Sequence, residues 1–228
     1  MKKILMIIDT FDWAIGSLAK ASLSQNEHFD WKLMAIHPKD LEQGKVDLKP
    51  IIEAIKWADL IDAEYWRTLS QLLEKIPELK DKPILLAHHN EKNLLSYDWP
   101  ENVMHVATTK RAEQILKEKY PHGKVYLVHN SYNHKIFKYN TEYNPEKKIV
   151  GYVGRIVPWK GLKEVARACY ELGYPLMVMG KMDKPSYFAE IPKEHQDNIL
   201  WDYFNCDDSE RPEYYKEIAV YVGNSGGG

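Results

Sequence analysis

With 228 residues the chain can bury one large core or two small ones. Its 31 basic and 33 acidic residues leave a formal net charge of -2, and its 44% hydrophobic and 28% charged content is that of a folded globular protein. That balance excludes a strong polyanion-attracting field and extended disorder, so nucleic acid is not an expected partner. Two cysteines, Cys169 and Cys206, follow no metal or redox spacing and point to a reducing compartment, with cytoplasm as the expected location. The nine histidines show no paired ligand spacing, so no metal site is expected.

Lys2 and Lys3 precede an apolar run, Ile4 to Ile8, that Asp9 ends. This is short of the roughly 7 to 15 residues of a signal-peptide core, and it reads as a buried first strand. No later run approaches the ~18 apolar residues of a membrane span, which predicts a soluble protein and leaves room for a peripheral membrane contact. Further strands are expected at Trp31 to Ile36, Leu60 to Ala63, Pro83 to His88, Val103 to Ala107 and Lys124 to Val128. Between them, Ile15 to Leu23, Ile51 to Trp57, Tyr65 to Ile76 and Lys110 to Lys119 carry helical periodicity, the last with Thr108 or Thr109 as N-cap. Alternation of short apolar strands with amphipathic helices predicts an α/β fold with parallel sheets covered on both faces.

Residues 138–148 are polar, contain Asn-Pro and lack an apolar stripe, which marks a linker. The pattern then restarts: strand Ile149 to Val153, helix Gly161 to Leu172, strand Leu176 to Met179, a looser stretch, strand Ile199 to Tyr203, helix Arg211 to Ile218 and strand Ala219 to Val222. The predicted organisation is a first lobe over 1–137, a linker over 138–148 and a partial second lobe over 149–228. The half-built second sheet would leave an edge at Ala219 to Val222, open to pairing with another chain. Trp57, Trp66, Trp201 and the pair Tyr214-Tyr215 fall in helix or strand patterns and are expected to be core or cleft-wall aromatics.

The strongest local signal is Gly151-Tyr152-Val153-Gly154-Arg155-Ile156-Val157-Pro158-Trp159-Lys160-Gly161. A strand ends at a glycine, a loop carries two cations, and a helix starts near Gly161. In an open parallel sheet ligands bind beyond the carboxyl ends of the strands, and helix N-termini favour anions, so this is a candidate phosphate loop. Arg155 can form forked hydrogen bonds to phosphate oxygens, and Lys160 acts as a point charge. A bare strand-to-helix turn with two solvated cations is the competing reading.

This run resembles the donor-phosphate loop of the large retaining glycosyltransferase family that includes phosphatidylinositol mannosyltransferase and sucrose synthase, whose members have two Rossmann-like lobes (the GT-B type). In that family the loop's arginine and lysine hold the diphosphate of a nucleotide sugar, which the resemblance transfers to Arg155 and Lys160, with Gly154 closing the strand. Val128-His129-Asn130-Ser131-Tyr132-Asn133-His134-Lys135-Ile136-Phe137 is similar to the family's "I-P-N-G-V-D-x-x-x-F", with Asn130 and Phe137 at matching spacing and His129, Ser131 and Asn133 departing from it. Pro83 to His89 resembles the strand that ends in a histidine facing the donor sugar, with His89 in that place rather than His88. Around Asp9 to Ser17 the family carries one or two glycines that let backbone amides approach the donor phosphate, a place taken here by Gly16.

The sequence ends after Gly223-Asn224-Ser225, before the family's acidic motif of two glutamates with seven residues between them. The resemblance thus implies two Rossmann-like lobes with the second incomplete, a C-terminally truncated version of the fold. It also implies transfer of a sugar, of hexosyltransferase type, from a nucleoside-diphosphate sugar to a glycan, lipid or small-molecule acceptor with retention of anomeric configuration. No cofactor is implied. His89, Arg155 and Lys160 would carry the catalytic roles, and Gly16, Gly154, Asn130, Arg155 and Lys160 the donor contacts. Lacking the acidic motif, the chain could instead be a non-catalytic nucleotide-sugar-binding or interaction module.

Overall fold

The computed structural model describes residues 1–11, 14–24, 26–91, 94–130, 132, 135–137, 146–203 and 211–223. The chain divides into two compact units, Met1–Asn133 and His134–Gly228. Most of the expected linker, 138–145, lies outside the described residues, as do Cys206 and Asn133.

The first unit is built on a six-stranded sheet in the order β2-β1-β3-β4-β5-β6. Its strands are β1 (Lys3–Ile8), β2 (Asp30–Ala35), β3 (Leu60–Ala63), β4 (Ile84–His88), β5 (Val103–Ala107) and β6 (Val125–Leu127), and every neighbouring pair is parallel. Ile4 to Ile8 are buried without alternation, because both faces of β1 are covered. On one face Leu5, Ile7, Ile61 and Leu86 meet Ile51 and Ile55 of α3 (Leu48–Trp57) and Leu69 and Leu72 of α4 (Trp66–Lys75). On the other, Met6 and Ile8 meet Ala19 of α1 (Ala14–Ser24). Trp57 and Trp66 pack, partly buried, against the first of these clusters.

Local chemistry starts the helices. Asp47 caps α3 by accepting from the Lys49 amide at 3.0 Å, and Thr109 caps α5 (Lys110–Lys119) by accepting from the Ala112 amide at 3.1 Å. Of the two threonines considered for that cap, Thr108 is engaged elsewhere, its hydroxyl donating to the His88 carbonyl at 2.9 Å. One helix, α2 (Pro38–Glu42), is absent from the sequence-based expectation because five residues are too few to show a period; Pro38 and the His37 side chain, which accepts from the Lys39 amide, start it.

The second unit carries a four-stranded parallel sheet in the order β10-β7-β8-β9, formed by β7 (Val150–Val153), β8 (Leu176–Met179), β9 (Ile199–Tyr203) and β10 (Val220–Tyr221). Val150, Tyr152 and Val178 face Leu162, Val165, Ala166 and Cys169 of α6 (Leu162–Glu171). The opposite face, Met177 and Met179, is closed by Tyr214 of α9 (Arg211–Glu217). The Tyr214 hydroxyl lies 2.9 Å from the Tyr152 carbonyl and 2.6 Å from that of Met177, so one phenol fastens α9 to two adjacent strands. Of the pair expected to be core or cleft-wall aromatics, Tyr214 is buried in the core and Tyr215 is 42% exposed. The looser stretch after β8 contains two short helices, α7 (Pro185–Ala189) and α8 (Lys193–Asp197). Cys169 is buried in α6 and burial pushes its thiol up, which makes it a packing residue rather than a nucleophile. No helix among the described residues is long and apolar enough to cross a membrane.

Candidate functional site

Each unit presents candidate residues at the carboxyl edge of its own sheet. In the second unit β7 ends at Gly154, and the chain passes through a 3₁₀ turn, Pro158–Lys160, into α6. Gly161 joins the two with φ of 66°, a left-handed conformation that glycine adopts without steric cost. The loop is held to the end of β8: the Gly154 amide donates to the Met179 carbonyl and the Ile156 amide to the Lys181 carbonyl, each at 2.9 Å. Gly180 makes that approach feasible, since a Cβ there would sit 1.8 Å from the Gly154 oxygen.

Inside the loop the buried Tyr152 hydroxyl reaches the carbonyls of Arg155, at 3.2 Å, and Lys160, at 3.3 Å. Burial raises its pKa, so it remains a donor at all ordinary pH, and the backbones bearing both cations are tied to one point. Arg155 is half-exposed, lies 3.3 Å from the Asp183 carboxylate and stands 5.7 Å over the ring of the exposed Trp159. Lys160 is partly buried and pairs with no carboxylate among the described residues. At the start of α6 the Lys163 amide is taken by the Tyr187 hydroxyl at 3.0 Å. A half-exposed ion pair such as Arg155–Asp183 contributes about 0 to 1 kcal/mol, a weak hold that a bidentate phosphate contact would outcompete.

In the first unit the two histidines at the end of β4 separate by strand parity. His88 turns into the interior, 5% exposed, with Nε2 3.0 Å from Nδ1 of His105, itself stacked on Tyr120 at 4.3 Å. Burial first, then the neighbouring rings His105 and His89, lowers His88 to about 3, while burial and Lys119 lower His105 to about 4. Both are therefore neutral at pH 7 and share one N–H donor across the pair. A base whose folded pKa is depressed contributes stability above its unfolded pKa of about 6.5, and that stability is lost as pH falls toward 4 and 3. The double variant His88→Leu/His105→Leu should accordingly unfold at a lower pH than the natural chain in an acid titration followed by circular dichroism. An unchanged acid midpoint would contradict this account.

His89 emerges on the other face, where its Nε2 lies 2.6 Å from Oε2 of Glu64, with side chains 18% and 17% exposed. Asp62, two residues before Glu64 and on the same face of β3, is pushed up to about 8 by burial and by the Glu64 charge. Gly16 is buried in the first turn of α1, where a Cβ would meet the Phe11 carbonyl oxygen at 2.5 Å; the close backbone approach it permits is to its own preceding loop. Asn130 is exposed in the segment after β6, next to His129, whose ring nitrogen donates to the Thr108 carbonyl at 3.0 Å. Among the described residues no group of three or more histidine, cysteine or acidic side chains is arranged to hold a metal.

Sequence reasoning singled out Arg155, Lys160 and His89 and missed what supports them: Tyr152, Gly180 and Asp183 at the loop, and Glu64 at His89. Two of these had legible signals. Asp62-Ala63-Glu64 places two carboxylates on one face of a strand end, and Gly180 closes β8 as Gly154 closes β7.

No family model and no curated protein sequence matches the chain. Solved structures do. The glycosyltransferase AviGT4 of avilamycin A biosynthesis superimposes with a TM-score of 0.52 at 13% identity, over 89% of this chain and 64% of its own. HepE of Anabaena, solved with UDP and glucose, gives 0.54 at 14% identity over 97% of this chain and 70% of its own. The pneumococcal O-GlcNAc transferase GtfA, solved with UDP and GlcNAc, gives 0.56 at 16% identity over 78% of this chain and 40% of its own. The chain thus spans less than two thirds of the length of AviGT4 and of GtfA. At these identities the likeness speaks for the fold: two parallel α/β units of the kind found in GT-B glycosyltransferases.

Proposed function

We propose that the chain binds a nucleoside-diphosphate sugar and transfers its glycosyl group to an acceptor with retention at the anomeric carbon. The observation that carries the reading is the loop after β7, where Arg155 and Lys160 sit on a tied backbone at the head of α6. The diphosphate would displace Asp183 from Arg155 and supply the carboxylate-like partner that Lys160 lacks among the described residues. As the glycosyl bond to the diphosphate breaks, negative charge grows on the departing oxygen, and two fixed cations stabilise that charge more than they stabilise the bound donor. His89 of the first unit is the residue assigned to the sugar. Structures of two fold neighbours, HepE with UDP and glucose and GtfA with UDP and GlcNAc, support a UDP-linked donor as the first to try.

Calorimetric titration with UDP tests the loop. Arg155→Ala and Lys160→Ala should each weaken binding about 10-fold, the loss of one charge-assisted contact. Equal affinity in the natural chain and in the Arg155→Ala/Lys160→Ala double variant would overturn the reading. Donor hydrolysis and transfer assays on the same protein separate an enzyme from a binding module: tight binding with no turnover in any acceptor screen favours the module.

A further inference from the structure

The face of β3 that carries Asp62 also carries Glu64, because successive side chains of a strand alternate. In the parallel register Asp62 lies beside Leu85 and Ala63 beside Leu86, which places His89, four residues past Leu85, on that same face. Glu64 is fixed there by its backbone amide, which donates to the Ile7 carbonyl at 2.9 Å and continues the ladder beyond the end of β3. The result is a carboxylate and an imidazole 2.6 Å apart, mostly withdrawn from water and still reachable.

We propose that Glu64 is a positioning residue for His89, fixing the imidazole so that its Nδ1 meets a hydroxyl group of the bound sugar. The proposal rests on the reading of His89 as the sugar-facing residue. A carboxylate can only accept, so Nε2 must be the donor of this hydrogen bond. In the neutral ring the proton then resides on Nε2, and Nδ1 is left with a lone pair. Nδ1 has no hydrogen-bond partner among the described residues. A lone pair at that place accepts from an O–H and gains nothing from an ether or ring oxygen, so the site prefers ligands that present a hydroxyl donor. Asp62 contributes by holding its own proton at neutral pH, which leaves the single negative charge of the pair on Glu64.

The dyad acts on the sugar and the Arg155–Lys160 loop acts on the diphosphate, so the two can be read apart in one experiment. UDP, UDP-glucose and UDP-N-acetylglucosamine are titrated into the full chain and into Glu64→Ala, Glu64→Gln and His89→Ala. The expected result is that Glu64→Ala and His89→Ala leave UDP affinity unchanged and weaken the better UDP-sugar about 10-fold. Glu64→Gln, whose side-chain oxygen can still accept from Nε2–H, should recover most of that loss. Ring nitrogen shifts of His89 should report the Nε2–H tautomer in the natural chain and in Glu64→Gln, and a mixture of tautomers in Glu64→Ala. A UDP-sugar affinity indifferent to Glu64, an equal loss for UDP and UDP-sugar, or an Nδ1–H tautomer in the natural chain would each overturn the proposal. If the natural chain binds no UDP at all, the donor reading falls and takes this one with it.

Discussion

Replacing Gly180 with alanine is expected to destabilise the second unit by about 3 kcal/mol, the upper part of the range for forcing an extra methyl into a filled site. The new Cβ would lie 1.8 Å from the Gly154 oxygen and 2.6 Å from its carbon, and both are backbone atoms that cannot rotate away. Either the end of β8 or the loop after β7 must move, and the bonds from Gly154 to Met179 and from Ile156 to Lys181 stretch with it. Two readouts should change together. The melting temperature should fall by about 10 °C or more for a unit of this size, and, on the proposed function, UDP affinity should drop with it because Arg155 and Lys160 are displaced. Gly173→Ala, in the same unit, is the control. Gly173 has φ of 70° with nothing within 4 Å of its added Cβ, so the cost there is backbone strain alone, about 1 kcal/mol. If both variants melt alike, the steric account of Gly180 is wrong.

Asp62→Asn should make the protein more stable in alkali and change little in mild acid. A carboxyl whose folded pKa is raised keeps its full contribution below its unfolded pKa of about 3.9 and loses it as pH rises through the folded value. The folded value is about 8, caused first by burial and second by the Glu64 charge, so stability is lost progressively between about pH 4 and pH 8. Asparagine has no proton to lose and escapes that penalty. Solvent screens part of the shift at this partly buried position, which leaves an expected gain of about 2 kcal/mol at pH 9 and almost none at pH 4.5. Denaturant midpoints at the two pH values measure it. A gain independent of pH would place the effect in packing rather than in the proton.

The architecture was legible because its signals are periodic and short-range. Ile4 to Ile8 announce a strand covered on both faces, and Lys110 to Lys119 a helix with a threonine cap, using residues that lie next to one another in the chain. Arg155 and Lys160 were legible for the same reason: one loop holds both. What supports them was not. Asp183 lies 28 positions beyond Arg155 with no sequence signature to link them, and Gly180, although it closes β8 as Gly154 closes β7, lies 26 positions beyond Gly154, so the contact between the two cannot be read from either residue alone. The histidines show the same limit. Adjacent in sequence and alike in chemistry, His88 and His89 are sent to opposite faces by the strand pleat. Their partners then differ: His105 of β5 for His88, and Glu64, just past the end of β3, for His89.

The bond from Tyr214 to the carbonyls of Tyr152 and Met177 also constrains the order in which the second unit can mature. Its donor lies 62 residues downstream of one acceptor and 37 downstream of the other. During synthesis β7 and β8 emerge early and can pair, but the face holding Met177 and Met179 stays wet until α9 arrives. Contacts over such separations are slow to close. In a refolding time course read by hydrogen exchange, the amides of β7 and β8 should gain full protection only as α9 docks. The loop after β7, whose shape depends on those strands, is then among the last parts of the unit to become rigid.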